Sequence, residues 1–516
     1  MRLAAGGGTL FTVPVSVAAR AVSGAAWNLA TGVGSRVVAL VGTLILTRFI
    51  APTEYGEITA AVVAIATAMT FTDACVGQSI LARRIGPDSC FHGFVLHLLT
   101  GLVGLATVVL SAPYLGGWLD APGMARFVPG FAGAALLERA SYVPGKILLR
   151  DMRFRTVALT RGTAELVFTA VSLALAPYVH GYAIVAGNLA RSAFLMVVYA
   201  LRADHRKWFV PQRLRWPVVR DLLGFGLPLS AGSIAGFAAS NWDNLLVGRF
   251  FGASTLGAYR LSQSLAATPV TNVAEQLGDV LLPAFAHLDV ERRRTGLLRA
   301  AAIMALVTFP LSWGLAAVAP TIVRTLFDRR WAGIAPMLMI LSAMATPRPM
   351  TWALTAFLQA QQRPRAVMLL SVLNLGTMLA LLATFGRLGP SWACLAVGSA
   401  SLVHCSGMLY VAHVSEQVPG RRFLATVLRP VVASAFMFLV VAMARYALER
   451  LGIQPTWTSL AIEVTIGAVA YVGAACVIAQ ATVRDVLDLA GGILKGTRSA
   501  AQEEAAPHLS GTGAPT

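Results

Sequence analysis

Long apolar runs, separated by short polar, basic or Gly/Pro-containing connections, fill almost the whole chain. A bilayer core takes about 20 apolar residues per helix. The pattern predicts fourteen transmembrane helices near 22–47, 57–81, 93–115, 127–149, 157–179, 181–201, 221–247, 256–283, 298–323, 334–358, 366–386, 391–413, 426–448 and 458–480. Only Ala176-Pro-Tyr-Val-His-Gly181 separates the fifth from the sixth, and only Gly386-Arg-Leu-Gly-Pro390 the eleventh from the twelfth. Residues 1–21 read as an uncleaved cytoplasmic arm, because Gly6 to Gly8 and Pro14 interrupt the apolar core that a signal peptide needs. Residues 483–516 read as a cytoplasmic tail, largely disordered, small and polar from Ser499 on. The fold class expected is an all-α polytopic membrane protein of about 14 transmembrane helices.

The runs repeat. Leu44-Ile-Leu-Thr-Arg48-Phe-Ile-Ala-Pro-Thr-Glu-Tyr-Gly56 returns in stronger form within Asp243-Asn-Leu-Leu-Val-Gly248-Arg249-Phe-Phe-Gly252-Ala-Ser-Thr-Leu-Gly257-Ala-Tyr259. At an offset of 201 residues Arg48 aligns with Arg249, Gly56 with Gly257 and Gly77 with Gly278. Parallel repeats of about six spans are a transporter signature, with the substrate path between the halves. The expected organisation is therefore two pseudo-symmetric six-helix bundles, 22–202 and 221–415, joined by a basic cytoplasmic linker at 203–220. Two additional transmembrane helices follow within 416–482.

Composition changes this picture little: 57% of the 516 residues are hydrophobic and 12% charged, with mean hydropathy +0.70, far from soluble-domain norms. The net charge of +18 could suggest nucleic acid, but its distribution follows the positive-inside rule. With both termini on one side, that side collects 26 of the 41 lysines and arginines, the opposite side nine, and the spans the remaining six. This orients both termini toward the cytoplasm.

Several chemistries are excluded. Lysine occurs only at 146, 207 and 495, so there is no Walker-type phosphate loop and no ATP hydrolysis by this chain. No His-Glu-x-x-His occurs, and His92 and His97 are five apart, off one helix face. Cys75, Cys90, Cys394, Cys405 and Cys476 lack Cys-x-x-Cys spacing and read as packing residues. No metal or cofactor is expected, and the chain reads as a transporter rather than an enzyme.

The Asp243-to-Tyr259 segment closely resembles the seventh-to-eighth-span motif of oligosaccharide flippases, the Wzx-type polysaccharide transporter branch of the multidrug/oligosaccharidyl-lipid/polysaccharide exporter superfamily. Trp27, Thr47 to Gly56, Gly77-Gln-Ser-Ile-Leu-Ala-Arg83-Arg84, Leu282-Pro-Ala-Phe285-Ala and Leu326-Phe-Asp-Arg-Arg-Trp331 extend the resemblance over residues 22 to about 415. Ala51 stands where the first repeat often has glycine, and Asp73 to Gly77 is a loose version of a Gly-rich segment. The resemblance implies a bacterial inner-membrane flippase that moves polyprenyl-diphosphate-linked oligosaccharide to the outer leaflet for exopolysaccharide, capsule or O-antigen synthesis. Its implied partners are the lipid-linked substrate, membrane lipids, and a polymerase and chain-length regulator of the same pathway, with no nucleic acid. The alternatives are a cation-coupled small-solute or multidrug antiporter of the same superfamily, and a membrane polysaccharide polymerase or ligase.

An arginine near the bilayer centre costs about 2.5–3.5 kcal/mol on insertion scales, so Arg36, Arg191 and Arg348 are the candidate substrate-binding residues. Arg348 sits in Pro347-Arg-Pro349, which interrupts the tenth span. Arg161 has Glu165 one turn on, the spacing of a local ion pair. Glu138 and Arg139 are adjacent and point apart. Candidate coupling or ion-binding groups are Glu275 and Asp279, four apart on one face, with Asp73 and Asp243. For Asp243 the competing reading is a structural partner of Arg249. Arg48, Gly56, Asp243, Gly248, Arg249, Gly252, Gly257 and Tyr259 carry the family motif. Trp118, Trp208, Trp216, Trp331, Tyr55 and Tyr114 read as an interfacial belt.

Overall fold

The computed structural model describes residues 34, 38–39, 41–73, 76–82, 86–286, 288–480 and 482–484, and every regular element among them is helical. In chain order they are α1 (Pro52–Phe71), α2 (Val76–Ala82), α3 (Pro87–Trp118), α4 (Met124–Arg150), α5 (Phe154–Val179), α6 (Tyr182–Arg202) and α7 (Trp216–Ala286). There follow α8 (Val290–Leu326), α9 (Ile334–Ala343), α10 (Pro347–Ala360), α11 (Pro364–Thr384), α12 (Pro390–Glu416), α13 (Gly420–Arg450) and α14 (Trp457–Ile478). The predicted spans from the third to the fourteenth fall on described helix, the tenth with a break at 344–346, and the second falls on α1 and α2 apart from 72–75, of which 74 and 75 lie outside the described residues. Of the first, only residues 34, 38–39 and 41–47 are described, and 41–46 are helical.

The breaks have local causes. Pro52, Pro87 and Pro347 open α1, α3 and α10 at their first turn, where a missing N–H costs nothing. The fifth and sixth spans separate at His180, with φ 50°. The tenth span is split into α9 and α10 just before Pro347-Arg-Pro349, as that triplet predicts. Helix α7 is two helices meeting at Gly252, whose φ of 76° and ψ of 177° are non-helical.

Among the described residues eight helices are long and apolar enough to cross a membrane: α3, α5, α6, α8, Arg365–Leu388, α12, α13 and α14. A bent pair within α7, Trp216–Leu227 and Gly232–Ala274 at 52°, is a ninth candidate. Helix α4 is not in this set. It is 27 residues long but carries Glu138, Arg139 and Lys146 together with Pro129 and Pro144.

The chain forms two compact units. One comprises residues 1–265, 326–337 and 371–400, the other 266–325, 338–370 and 401–516. In the first, α4 packs against α1, α3 and α6, and α5 against α6, around a core that includes Ile50, Ile58, Leu119, Phe127 and Val128. In the second, α13 packs against α14, and a core of Phe285, Phe309, Leu354, Phe357 and Met408 joins α7, α8, α10 and α12. Lipid tails are as apolar as leucine, so close van der Waals fit and interhelical hydrogen bonds hold such helices together.

Candidate functional site

The family motif folds into a corner. Nine residues before Gly252 lies Asp243 and seven after it lies Tyr259; the turn at Gly252 brings the Tyr259 hydroxyl to 2.7 Å from the Asp243 carboxylate. Gln263 Nε2 donates to the same oxygen at 2.6 Å, and Asn244 donates through both its backbone N and Nδ2 to the other at 2.9 Å. Asp243 is 1% exposed. Glycine at 252 is required by its positive φ, and a Cβ there would lie 2.7 Å from Asp120 Oδ2, which would have to move aside. Arg249, the alternative partner, is exposed and lies outside this group. Three neutral side chains hold the carboxylate instead.

The two copies of the repeat meet at their glycines. A methyl group on Gly56 would land on the Ala253 carbonyl and 3.0 Å from Gly257 N; one on Gly257 would land on the Pro52 carbonyl and 2.9 Å from Gly56 N. Pro52 and Ala253 are themselves 201 residues apart, so the contact is reciprocal under the repeat offset. Around it, Glu54 accepts from Gly181 N at 3.1 Å and Glu57 from Gly123 N at 3.2 Å, placing carboxylates at the N-termini of α6 and α4, where the helix dipole favours them. Arg126 pairs with Glu57 at 2.9 Å and Arg48 with Asp328 at 3.4 Å. Trp331 is 1% exposed, donates to the Thr47 carbonyl at 3.0 Å and packs edge-on against Tyr55. Trp331 and Trp208 are thus buried, whereas Trp118, Trp216 and Tyr114 are exposed as a belt would be.

The charged residues of α4 line two cavities. As their adjacency predicts, Glu138 and Arg139 diverge. Arg139, 4% exposed, donates to the Thr72 hydroxyl at 2.8 Å, to the Met69 and Thr72 carbonyls, and meets His97 Nδ1 at 3.0 Å. His97 stacks on Tyr142 with centroids 4.4 Å apart, and its Nδ1 is 3.8 Å from the Asp73 carboxylate. Asp73, Glu138, Arg139, His97 and Tyr142 share a cavity of about 390 Å³ with Ser233 and Phe237. Arg191 lies between two carboxylates, 2.7 Å from Glu138 and 3.0 Å from Glu165. Glu165 therefore pairs with Arg191 rather than with Arg161. This second cavity, about 350 Å³, is lined by Glu138, Tyr142, Lys146, Arg161, Glu165, Arg191 and Tyr199.

In the second unit Arg348 is half-buried on the first turn of α10, with no side-chain ion pair or hydrogen bond among the described residues. Glu275 and Asp279 lie on α7, and their side chains are outside the described residues, as is Arg36 altogether. Arg292 pairs with Asp289, Arg293 with Glu416 at 2.6 Å and Arg294 with Glu291. Cys90 and Cys394 are buried, Cys405 is half-buried and Cys476 exposed. His97, Tyr142 and Lys146 were not singled out from the sequence as site residues. The available signal was that a histidine in an apolar run, or one of only three lysines, needs a polar neighbour at membrane depth.

A helical membrane bundle with arginine, lysine and glutamate side chains gathered in cavities between its spans has the architecture of a transporter for a polar or charged solute. Residues 45–336 match a family described as polysaccharide biosynthesis protein. This span is more than half of the chain, and the protein belongs to that family. The lipopolysaccharide biosynthesis protein WzxC of Escherichia coli (strain K12) is 25% identical over 354 residues, 68% of this chain and 72% of that one. The succinoglycan biosynthesis transport protein ExoT of Rhizobium meliloti (strain 1021) is 24% identical over 483 residues, 90% and 94% of the two chains. A solved structure described as the lipid II flippase MurJ in an inward closed conformation has the same fold. Its TM-score is 0.71 at 14% identity, over 88% of this chain and 98% of that one. The resemblance carried by the Asp243-to-Tyr259 motif is borne out, as is the multi-pass helical membrane fold.

Proposed function

We propose that this protein moves a polyprenyl-diphosphate-linked oligosaccharide from the inner to the outer leaflet of a bacterial plasma membrane, supplying exopolysaccharide, capsule or O-antigen assembly. The observation that carries this reading is a basic, polar cavity inside a membrane bundle of the polysaccharide biosynthesis family. A diphosphate and hydrated sugars cannot cross hydrocarbon unaided. A cavity that opens alternately to the two sides supplies them with charge and hydrogen bonds, while the lipid tail stays in the bilayer.

In this scheme transport is of the secondary type. Arg36, Arg191 and Arg348 compensate the diphosphate, with Arg191 exchanging its carboxylate partners for phosphate oxygens. Asp243 and Asp73, with Glu275 and Asp279, are the coupling candidates, and Asp243 is the best supported, being a buried carboxylate with only neutral donors around it. The halves 22–202 and 221–415 are related by a two-fold axis along the membrane normal, a relation supported by the reciprocal contact of Gly56 and Gly257. Both termini are cytoplasmic, and a polymerase and chain-length regulator act downstream.

The test is complementation. A strain deleted for this gene is expected to lose the surface polysaccharide and accumulate its lipid-linked repeat unit in the inner leaflet, and the intact gene to restore both. Accumulation of unpolymerised units already in the outer leaflet of the deletion strain would point to a polymerase instead.

A further inference from the structure

The cavity between α4, α5 and α6 holds three cations and two carboxylates. Their arrangement is uneven. Arg191 takes both carboxylates, Glu138 at 2.7 Å and Glu165 at 3.0 Å, while Lys146 and Arg161 form no ion pair among the described residues. The Lys146 ammonium rests on the Tyr142 ring, 5.1 Å from its centroid. Tyr199 is 5% exposed, and its buried hydroxyl lies beside the Arg161 guanidinium. Two glycines make the room: a Cβ on Gly145 would lie 3.0 Å from the Tyr199 ring, and one on Gly77 2.8 Å from Lys146 Cε. Two cations without a carboxylate partner among the described residues and a buried hydroxyl, held around a space of about 350 Å³, form a built anion site.

Charge selects the anion. A diphosphate that bridges a polyprenol and a sugar is a diester with two negative charges, one on each phosphate. It matches Lys146 and Arg161, whereas the phosphate of a bulk lipid such as phosphatidylglycerol brings only one. The position also fits loading. Lys146 lies one turn from the end of α4 at Arg150, and Arg161 two turns into α5 from Phe154, beside a connection that carries Arg153 and is flanked by Arg150 and Arg155. By the positive-inside distribution this end faces the cytoplasm.

We propose that this cavity is the cytoplasmic loading site for the substrate's diphosphate, with Lys146 and Arg161 each meeting one phosphate and Tyr199 donating to the bridge. The assignment rests on the flippase reading and adds to it residues outside the arginine set named above. Arg191, held by Glu138 and Glu165, meets the phosphates only after it exchanges those carboxylates.

The experiment uses the full chain in nanodiscs, titrated with a synthetic polyprenyl diphosphoryl hexose and, separately, with phosphatidylglycerol. Lys146→Gln and Arg161→Gln are each expected to weaken diphosphoryl-hexose binding about tenfold or more, the scale of a hydrogen bond to a charged group. Lys146→Arg and Arg161→Lys are expected to restore most of it, and Arg429→Gln on the exposed face of α13 to leave it unchanged. Wild-type affinity in both glutamine variants, with unaltered elution and thermal stability, would overturn the site while leaving the flippase reading in place. Equal competition by phosphatidylglycerol would overturn the diphosphate assignment in favour of a general headgroup site. No binding of the diphosphoryl hexose to the wild-type protein would count against the flippase reading itself.

Discussion

Replacing Gly56 with alanine gives a prediction whose sign separates two readings of the glycine contact. Alanine in a helix is favoured over glycine by about 1 kcal/mol, so with open space beside Gly56 the substitution would stabilise the protein. The added methyl instead meets the backbone carbonyl of Ala253, with Gly257 N at 3.0 Å. Backbone cannot rotate away as a side chain does. Overpacking of this kind costs about 1–3 kcal/mol, and a contact against main chain belongs near the upper end. The propensity gain is present however α1 sits, whereas the clash exists only while α1 and the second half of α7 touch. Gly56→Ala should therefore shift the equilibrium toward separation by about 3 kcal/mol, on the order of a hundredfold. Spin labels at Thr53→Cys and Ser254→Cys, also 201 residues apart, would read this by pulsed EPR in a background without the native cysteines. The expected result is a longer-distance population growing from minor to dominant, with export reduced at normal membrane abundance. An unchanged distance distribution, together with a higher melting temperature and full export, would refute the reasoning.

Four further outcomes are expected. Asp243→Asn, which removes the charge of a buried carboxylate held by neutral donors, should abolish export at normal membrane abundance; full export would remove Asp243 from the coupling candidates. Tyr259→Phe, which removes one donor from a buried carboxylate, should lower stability by about 1–3 kcal/mol, read as a fall in melting temperature. Arg191→Ala leaves Glu138 and Glu165 without a counter-ion: if its role is structural, Glu138→Gln with Glu165→Gln should restore export in the Arg191→Ala background, whereas a substrate-binding Arg191 gives no rescue. Cysteines placed within 203–220 and 505–514 should label only from the cytoplasm and those near 120 and 328 only from outside; outside labelling of 203–220 would reject the orientation.

Eight of the helices were legible because membrane spans announce themselves by apolar length, and the tenth span's interruption was written in Pro347-Arg-Pro349. The motif was legible as a motif, but not as a corner: nothing in the spacing of Asp243 and Tyr259 says that Gly252 turns the chain so that they touch. The partner of Glu165 was misplaced because the sequence shows only local pairs, and Arg191 reaches it from a different helix. Trp331 resembles an interfacial anchor until Thr47 and Tyr55, some 280 residues away, are seen to enclose it. The 201-residue offset was visible from the first, but that its two glycines press backbone against backbone is information about distance, which spacing along a chain does not carry.

Gly252 invites the label of hinge, being a glycine at a bend between two helices. Its surroundings imply the opposite. Asp243 stands on one arm of the bend, Tyr259 and Gln263 on the other, and their short hydrogen bonds close a triangle with Gly252 at its apex. Flexing the bend breaks both struts and strands a buried carboxylate, at about 1.5–3 kcal/mol for each bond. A braced triangle transmits torque rather than absorbing it. The arm that carries Tyr259 must then swing with the arm that carries Asp243, and compliance during a transport cycle falls to breaks that no buried carboxylate ties, such as the turn between Ala343 and Pro347, where Thr346 accepts from Trp313 Nε1 at 3.1 Å and donates to the Ala343 carbonyl at 2.7 Å.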